Sequence, residues 1–274
     1  MAGVPIVAAH GATRQGHWPL LGDPLHTGRV SGPASSSAVP HGGEHMGTGP
    51  RVNVVLEVVP KRSFAVAVEW PGWTRGGRSE DEALDALLRA GPRYATVAAA
   101  AGIDLAPPAD RSGLAVVARI PGTSTTEFGA PGVPLPGDDA PLDEAGLARQ
   151  AAILRAAWTA LDAAVERHAG AELAKGPRGG GRDLAKIVAH VEDADRAYLA
   201  QLGARTPKTA TGTAPIADVH AAAIAALRAR ALDLPVPDPN RVTKPWPPRY
   251  YVRRAAWHWL DHAWEIEDRA TPGA

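Results

Sequence analysis

The sequence predicts an α+β protein of two domains, a small α/β unit followed by an antiparallel four-helix bundle. Three observations carry this. Two apolar, β-branched runs, Val52 to Val59 and Ser63 to Trp70, flank Pro60-Lys61-Arg62, the pattern of a hairpin. Residues 121–141 concentrate Pro121, Pro131, Pro134 and Pro136 with Gly122, Gly129, Gly132 and Gly137, a composition suited to an interdomain linker. From residue 142 onward apolar side chains recur at spacings of three and four, the period of a helix with one buried face.

Composition narrows the function. At 274 residues the chain is long enough for two modest cores. Its 29 basic and 29 acidic side chains balance, which argues against a nucleic-acid binder driven by broad electrostatic attraction. No apolar run approaches the roughly 20 residues that span a bilayer. The first residues lack the charged-then-apolar pattern of a signal peptide, so the cytoplasm is the expected compartment. Cysteine is absent, so a metal site must use histidine and carboxylate.

Residues 1–45 show no period and are rich in Gly, Pro, Ser and His, as expected of a disordered tail. His10, His17, His26, His41 and His45 are irregularly spaced there and read as a solvated tail rather than as ligands. A mis-assigned start, with translation beginning at Met46, is the alternative. The α/β unit is placed at 46–120. After Pro71-Gly72, the run Ser79-Glu80-Asp81-Glu82 has the form of a capping box. The helix it opens carries Ala83, Leu84, Leu87 and Leu88 on one face. A strand from Leu114 to Ile120 completes the unit.

The bundle is placed at 142–270, with 271–274 as a tail. Leu147, Ala151, Leu154, Trp158, Leu161 and Val165 stripe a first long helix. His168 falls at its last turn, where a cation suits the helix dipole. The stretch from Gly176 to Gly181 lacks the Gly-Lys-Ser/Thr ending of a phosphate loop and reads as a turn. Asp183 can cap a second helix to about Leu202, a third spans roughly Ile216 to Leu232, and Pro247-Pro248 leads into a fourth reaching about Arg269.

In that fourth helix His258 and His262 stand four apart, one turn above each other with Cβ atoms about 6 Å apart. His190, beside Ile187, Val191 and Ala194 in the second helix, can reach the same ion from a helix packed about 8 to 10 Å away. Spacing alone leaves two readings open: a three-histidine site, or three unrelated histidines each satisfied by a neighbour. Glu265, three residues after His262, is the candidate for orienting an imidazole or acting as a base. Asp261, Glu267 and Asp268 alternate with Arg253, Arg254 and Arg269, as on a solvated, salt-bridged face. Trp257, Trp259 and Trp264 read as packing residues.

Two resemblances add to this. Phe64-Ala65-Val66-Ala67, Trp70-Pro71-Gly72-Trp73 and Arg78-Ser79-Glu80-Asp81-Glu82-Ala83-Leu84 resemble HicB-like antitoxin-type domains, although Glu69 and Trp70 replace the aspartate and leucine usual before the Pro-Gly. That resemblance implies a small binding module, and a possible protein partner or dimer through it. The segment Asp183-Leu184-Ala185-Lys186-Ile187-Val188-Ala189-His190-Val191-Glu192-Asp193-Ala194 and the closing His258-Trp259-Leu260-Asp261-His262 resemble DinB-like four-helix bundles over about residues 142–270. The DinB-like resemblance implies that His190, His258 and His262 hold a divalent cation, zinc first and nickel or iron as alternatives. Some relatives are S-transferases or isomerases that use a low-molecular-weight thiol such as mycothiol or bacillithiol. The expected function is therefore a metal-dependent enzyme of the thiol-dependent S-transferase type, acting on a small molecule. The alternative is a non-catalytic regulatory or antitoxin-like protein with a structural metal.

Overall fold

The computed structural model describes residues 51–175, 181–209 and 212–270. The expected tails at 1–45 and 271–274, and the turn at 176–181 apart from Gly181, lie outside the described residues. The architecture is mixed α and β, with a four-stranded sheet first and a helical region after it.

Strands β1 (Val52–Val59) and β2 (Arg62–Ala67) pair antiparallel. The second strand starts one residue earlier than the sequence suggests and stops three residues short of Trp70. The cause is the turn at Pro71-Gly72, where Gly72 takes φ +93° and the chain reverses into β3 (Thr74–Gly77). Thr-Arg-Gly-Gly has little strand propensity, so β3 is legible only from its pairing with β2. A Cβ on Gly72 would lie 3.1 Å from Ala256 Cβ and 2.9 Å from the Leu260 side chain. The turn therefore seats directly on the last helix, which only glycine allows.

Helix α1 (Glu80–Ala100) begins at Ser79, whose hydroxyl accepts from the Glu82 amide. The Glu82 carboxylate reaches back to the Arg78 amide at 2.9 Å, one residue beyond the expected partner. Ala83, Leu87, Tyr94, Val97 and Ala98 form the buried face, with Leu84 and Leu88 on its flank. After α1 the chain returns as β4 (Leu114–Pro121), parallel to β1, and the sheet order is β3-β2-β1-β4. Val116 pairs with Val54 and Ala118 with Val55. Val117 is thus the extra residue of a bulge on an edge strand, where an apolar side chain can stay exposed.

Side chains alternate across the sheet. Val54, Leu56, Ala65 and Ala67 enter a core that also contains α1 and helical-region residues such as Leu154 and Leu260. Val55, Phe64 and Val66 face the other way, against Ala130, Leu135 and Trp257. Residues 121–141, which carry the short helix α2 (Ser124–Phe128), are strapped onto that second face. Buried Glu57 accepts from the Thr126 hydroxyl and from the amides of Gly132 (2.9 Å) and Val133 (3.4 Å). Burial pushes its carboxyl up, against the lowering effect of those hydrogen bonds.

The helical region contains α3 (Glu144–Arg167), α4 (Leu184–Leu202), α5 (Ile216–Ala231) and α6 (Pro248–Arg269), with two short antiparallel strands, β5 (Lys208–Thr209) and β6 (Gly212–Thr213), before α5. Asp143 and Asp183 cap α3 and α4 by accepting from the amides of Gly146 and Lys186. Helix α6 packs against α3, α4 and α5, and every residue from Tyr250 to Leu260 is buried. The expected solvated face is therefore corrected. Arg253 and Arg254 are interior, and Arg253 pairs with buried Asp138 at 2.7 Å. Asp261 and Asp268 do pair, but with Arg75 (2.9 Å) and Arg93 (2.8 Å) of the sheet part rather than along their own helix. No described helix is long and apolar enough to cross a membrane.

Candidate metal centre

Helix α4 turns its buried stripe, Ile187, Val191, Asp195, Leu199 and Leu202, inward. His190 lies beside that stripe and keeps partial exposure. On α6 the i, i+4 spacing places His258 and His262 on one face toward α4. The three sequence-identified histidines come together: one ring nitrogen from each lies within 4.8 Å of the others. His258 Nε2 is 3.3 Å from His190 Nε2. Two nitrogens held about 2.05 Å from one ion at a tetrahedral angle are about 3.3 Å apart, so this pair already has the spacing of two ligands.

Glu265 also falls where the sequence put it. His262 Nδ1 is 2.7 Å from Glu265 Oε2. The hydrogen bond from His262 is the main cause holding the Glu265 carboxyl below its ordinary range. Glu265 is thus an acceptor and Nδ1 carries the proton, so Nε2 is the His262 atom that would meet a cation. Arg269, one turn on, pairs with Glu265 and donates to the carbonyls of Ala174 (2.8 Å) and Arg182 (3.0 Å). The carboxylate is therefore pinned from both sides.

Two of the imidazoles, His190 and His258, are held neutral by burial. Burial, then the neighbouring Arg182 and His262, push His190 down to about 4. Burial pushes His258 well below its usual range, helped by His262 and Arg254. Imidazole nitrogens converging from two helices, one of them oriented by a carboxylate, fit a divalent cation of the zinc class. The buried His258 Nδ1 has no hydrogen-bond partner among the described residues. His168 sits apart from this cluster as the C-cap of α3.

No family model, curated protein or solved structure matches the chain.

Three residues around the centre are not read from the sequence as part of it: Arg254 and Arg269 fall on the expected solvated face, and Tyr198 is given no role. Arg254 lies one turn before His258, buried, with its guanidinium 4.8 Å from the Trp257 ring and 5.5 Å from that of Tyr198. Tyr198 stands over His258 at 5.8 Å between ring centroids. Arg269 supports Glu265 as described. Their spacings were the available signal: Arg254 is four before His258, Arg269 four after Glu265, and Tyr198 eight after His190.

The depressed His190 makes a pH prediction for the metal-free protein. An unfolded imidazole takes its proton near 6.5, the folded one only near 4. Between those values the unfolded chain binds more protons, so stability falls as pH falls through that window. Denaturant titrations of metal-free wild type and His190→Asn from pH 7 to pH 4 should show a shallower decline in the variant. Equal slopes would remove His190 as a source of the pH dependence.

Proposed function

We propose that the chain is a divalent-metal-binding protein of DinB-like type, working as a metal-dependent enzyme of the thiol-dependent S-transferase or isomerase class. The observation that carries the reading is the convergence of three imidazoles from α4 and α6, with Glu265 on a ring nitrogen of one of them. Three protein ligands leave a position for an exchangeable ligand, a pattern more common in catalytic than in structural sites. The partial exposure of His190 supports access from solvent on that side. When bound, the cation would act as a Lewis acid and lower the pKa of a bound thiol or water toward 7. Zinc suits the donor set best, with nickel or iron as alternatives. His190, His258 and His262 would hold the ion, Glu265 would keep His262 in the required tautomer, and Arg269 would keep Glu265 ionised and in place. The α/β part, read as HicB-like, would serve as the module for a protein partner or for a dimer.

The test is elemental analysis of the purified chain, followed by a thiol-transfer screen on metal-loaded protein. Stoichiometric metal with transfer activity supports the reading; no metal at saturating zinc, nickel or iron overturns it. If metal binds but azide leaves the spectrum of the cobalt-loaded protein unchanged, the coordination sphere is closed and the metal is structural. Glu265→Gln keeps the shape of the side chain but removes its charge, and should weaken metal affinity about 10- to 100-fold. Competition against a chromophoric chelator measures this, and an unchanged affinity would remove Glu265 from the site.

A further inference from the structure

A second concave site lies away from the imidazoles, where the strap at 121–141 meets the β2–β3 turn, α3 and the start of α6. It is a cleft of about 460 Å³ whose walls include Glu69, Asp138, Arg149, Gln150, Arg249 and Arg253. That volume falls within the range of small-molecule sites, about 300 to 1,000 Å³.

The charges in this cleft do not cancel. Arg253 and Asp138 neutralise each other at 2.7 Å, and the Glu69 carboxylate accepts from the Asn53 amide at 2.8 Å. Arg149 and Arg249 pair with no carboxylate among the described residues. Arg149 donates to the Glu69 backbone carbonyl (2.8 Å) and lies over the Trp70 ring at 4.8 Å. Arg249 donates to the carbonyls of Ala140 (3.2 Å) and Pro141 (3.1 Å). Each guanidinium is thus held in position by neutral groups, with most of its five donors uncommitted.

We propose that this cleft binds a small organic anion. Arg149 and Arg249 take its carboxylate or phosphate group, since forked guanidiniums match both in a bidentate manner. The acidic Glu69 and Asp138 disfavour an extended polyanion, so the ligand is a compact one. The site stands independently of the metal centre.

Titration calorimetry at constant ionic strength tests this with two probes, inorganic phosphate and malate, against sodium chloride. Saturable binding of phosphate alone assigns a phosphate-bearing ligand, and binding of malate assigns a carboxylate. Heats indistinguishable from those of chloride for both probes overturn the proposal. Arg149→Gln with Arg249→Gln should weaken the bound probe at least tenfold while leaving metal content and far-ultraviolet dichroism unchanged. Binding that persists in that variant also overturns the proposal. If the double variant fails to fold, Arg149→Lys, which keeps the charge but loses the fork, serves in its place. A several-fold weakening then supports the cleft, and unaltered binding refutes it.

Discussion

His258→Ala should reduce bound zinc from about one equivalent per chain to a trace, and His190→Ala and His262→Ala should do the same. Each removes one of three donors, and each helix carries at least one, so no remaining pair keeps the geometry. Loss of a group that merely orients a ligand already costs about 10- to 100-fold in affinity; loss of the ligand itself should cost at least about a hundredfold. His168→Ala, at the C-cap of α3 outside the cluster, is the control and should keep its metal. Elemental analysis after exhaustive dialysis reads the result. Metal retained by all three variants would leave the histidines as packing residues and remove the basis for metal-dependent chemistry.

Trp73→Ala should destabilise the protein by about 3 to 5 kcal/mol, the usual cost of emptying a large aromatic site. Trp73 has no exposed surface. Its ring stacks on Tyr94 at 5.4 Å and 14°, and its Nε1 donates to the Leu87 carbonyl at 2.9 Å. Tyr94 in turn donates its hydroxyl to the Pro71 carbonyl at 2.8 Å. The substitution therefore empties the contact between α1 and the Pro71-Gly72 turn that seats against α6. A fall in melting midpoint on the order of 10 °C is expected for a chain of this size, read by calorimetry on metal-free protein. A shift under about 2 °C would mean that the site collapses without loss, against the packing described.

Much of the helical region was legible because helices are local. Asp183 announced the start of α4, and the stripe from Leu147 through Leu161 announced the buried side of α3. Pro247-Pro248 announced the start of α6 within one residue. The pairing of His258 with His262 and of His262 with Glu265 was equally readable, since each needs only one turn of helix. The sheet was less so. Strand β3 has no propensity signal, and the early end of β2 depends on a glycine that meets α6.

What the sequence by itself determined is the set of donors and their spacing: two imidazoles and a carboxylate on one helix, one imidazole on another, and no thiol anywhere. Tertiary packing alone decided that His190 and His258 come within 3.3 Å, because the approach of α4 to α6 is set by the side chains between them rather than by either helix. Packing also placed Arg253 and Arg254 in the interior, where their charged neighbours in sequence had suggested a wet surface. A charge pattern along one helix reports only local spacing. Whether water or protein lies against it is decided by elements more than a hundred residues away, such as Asp138 and the end of β2.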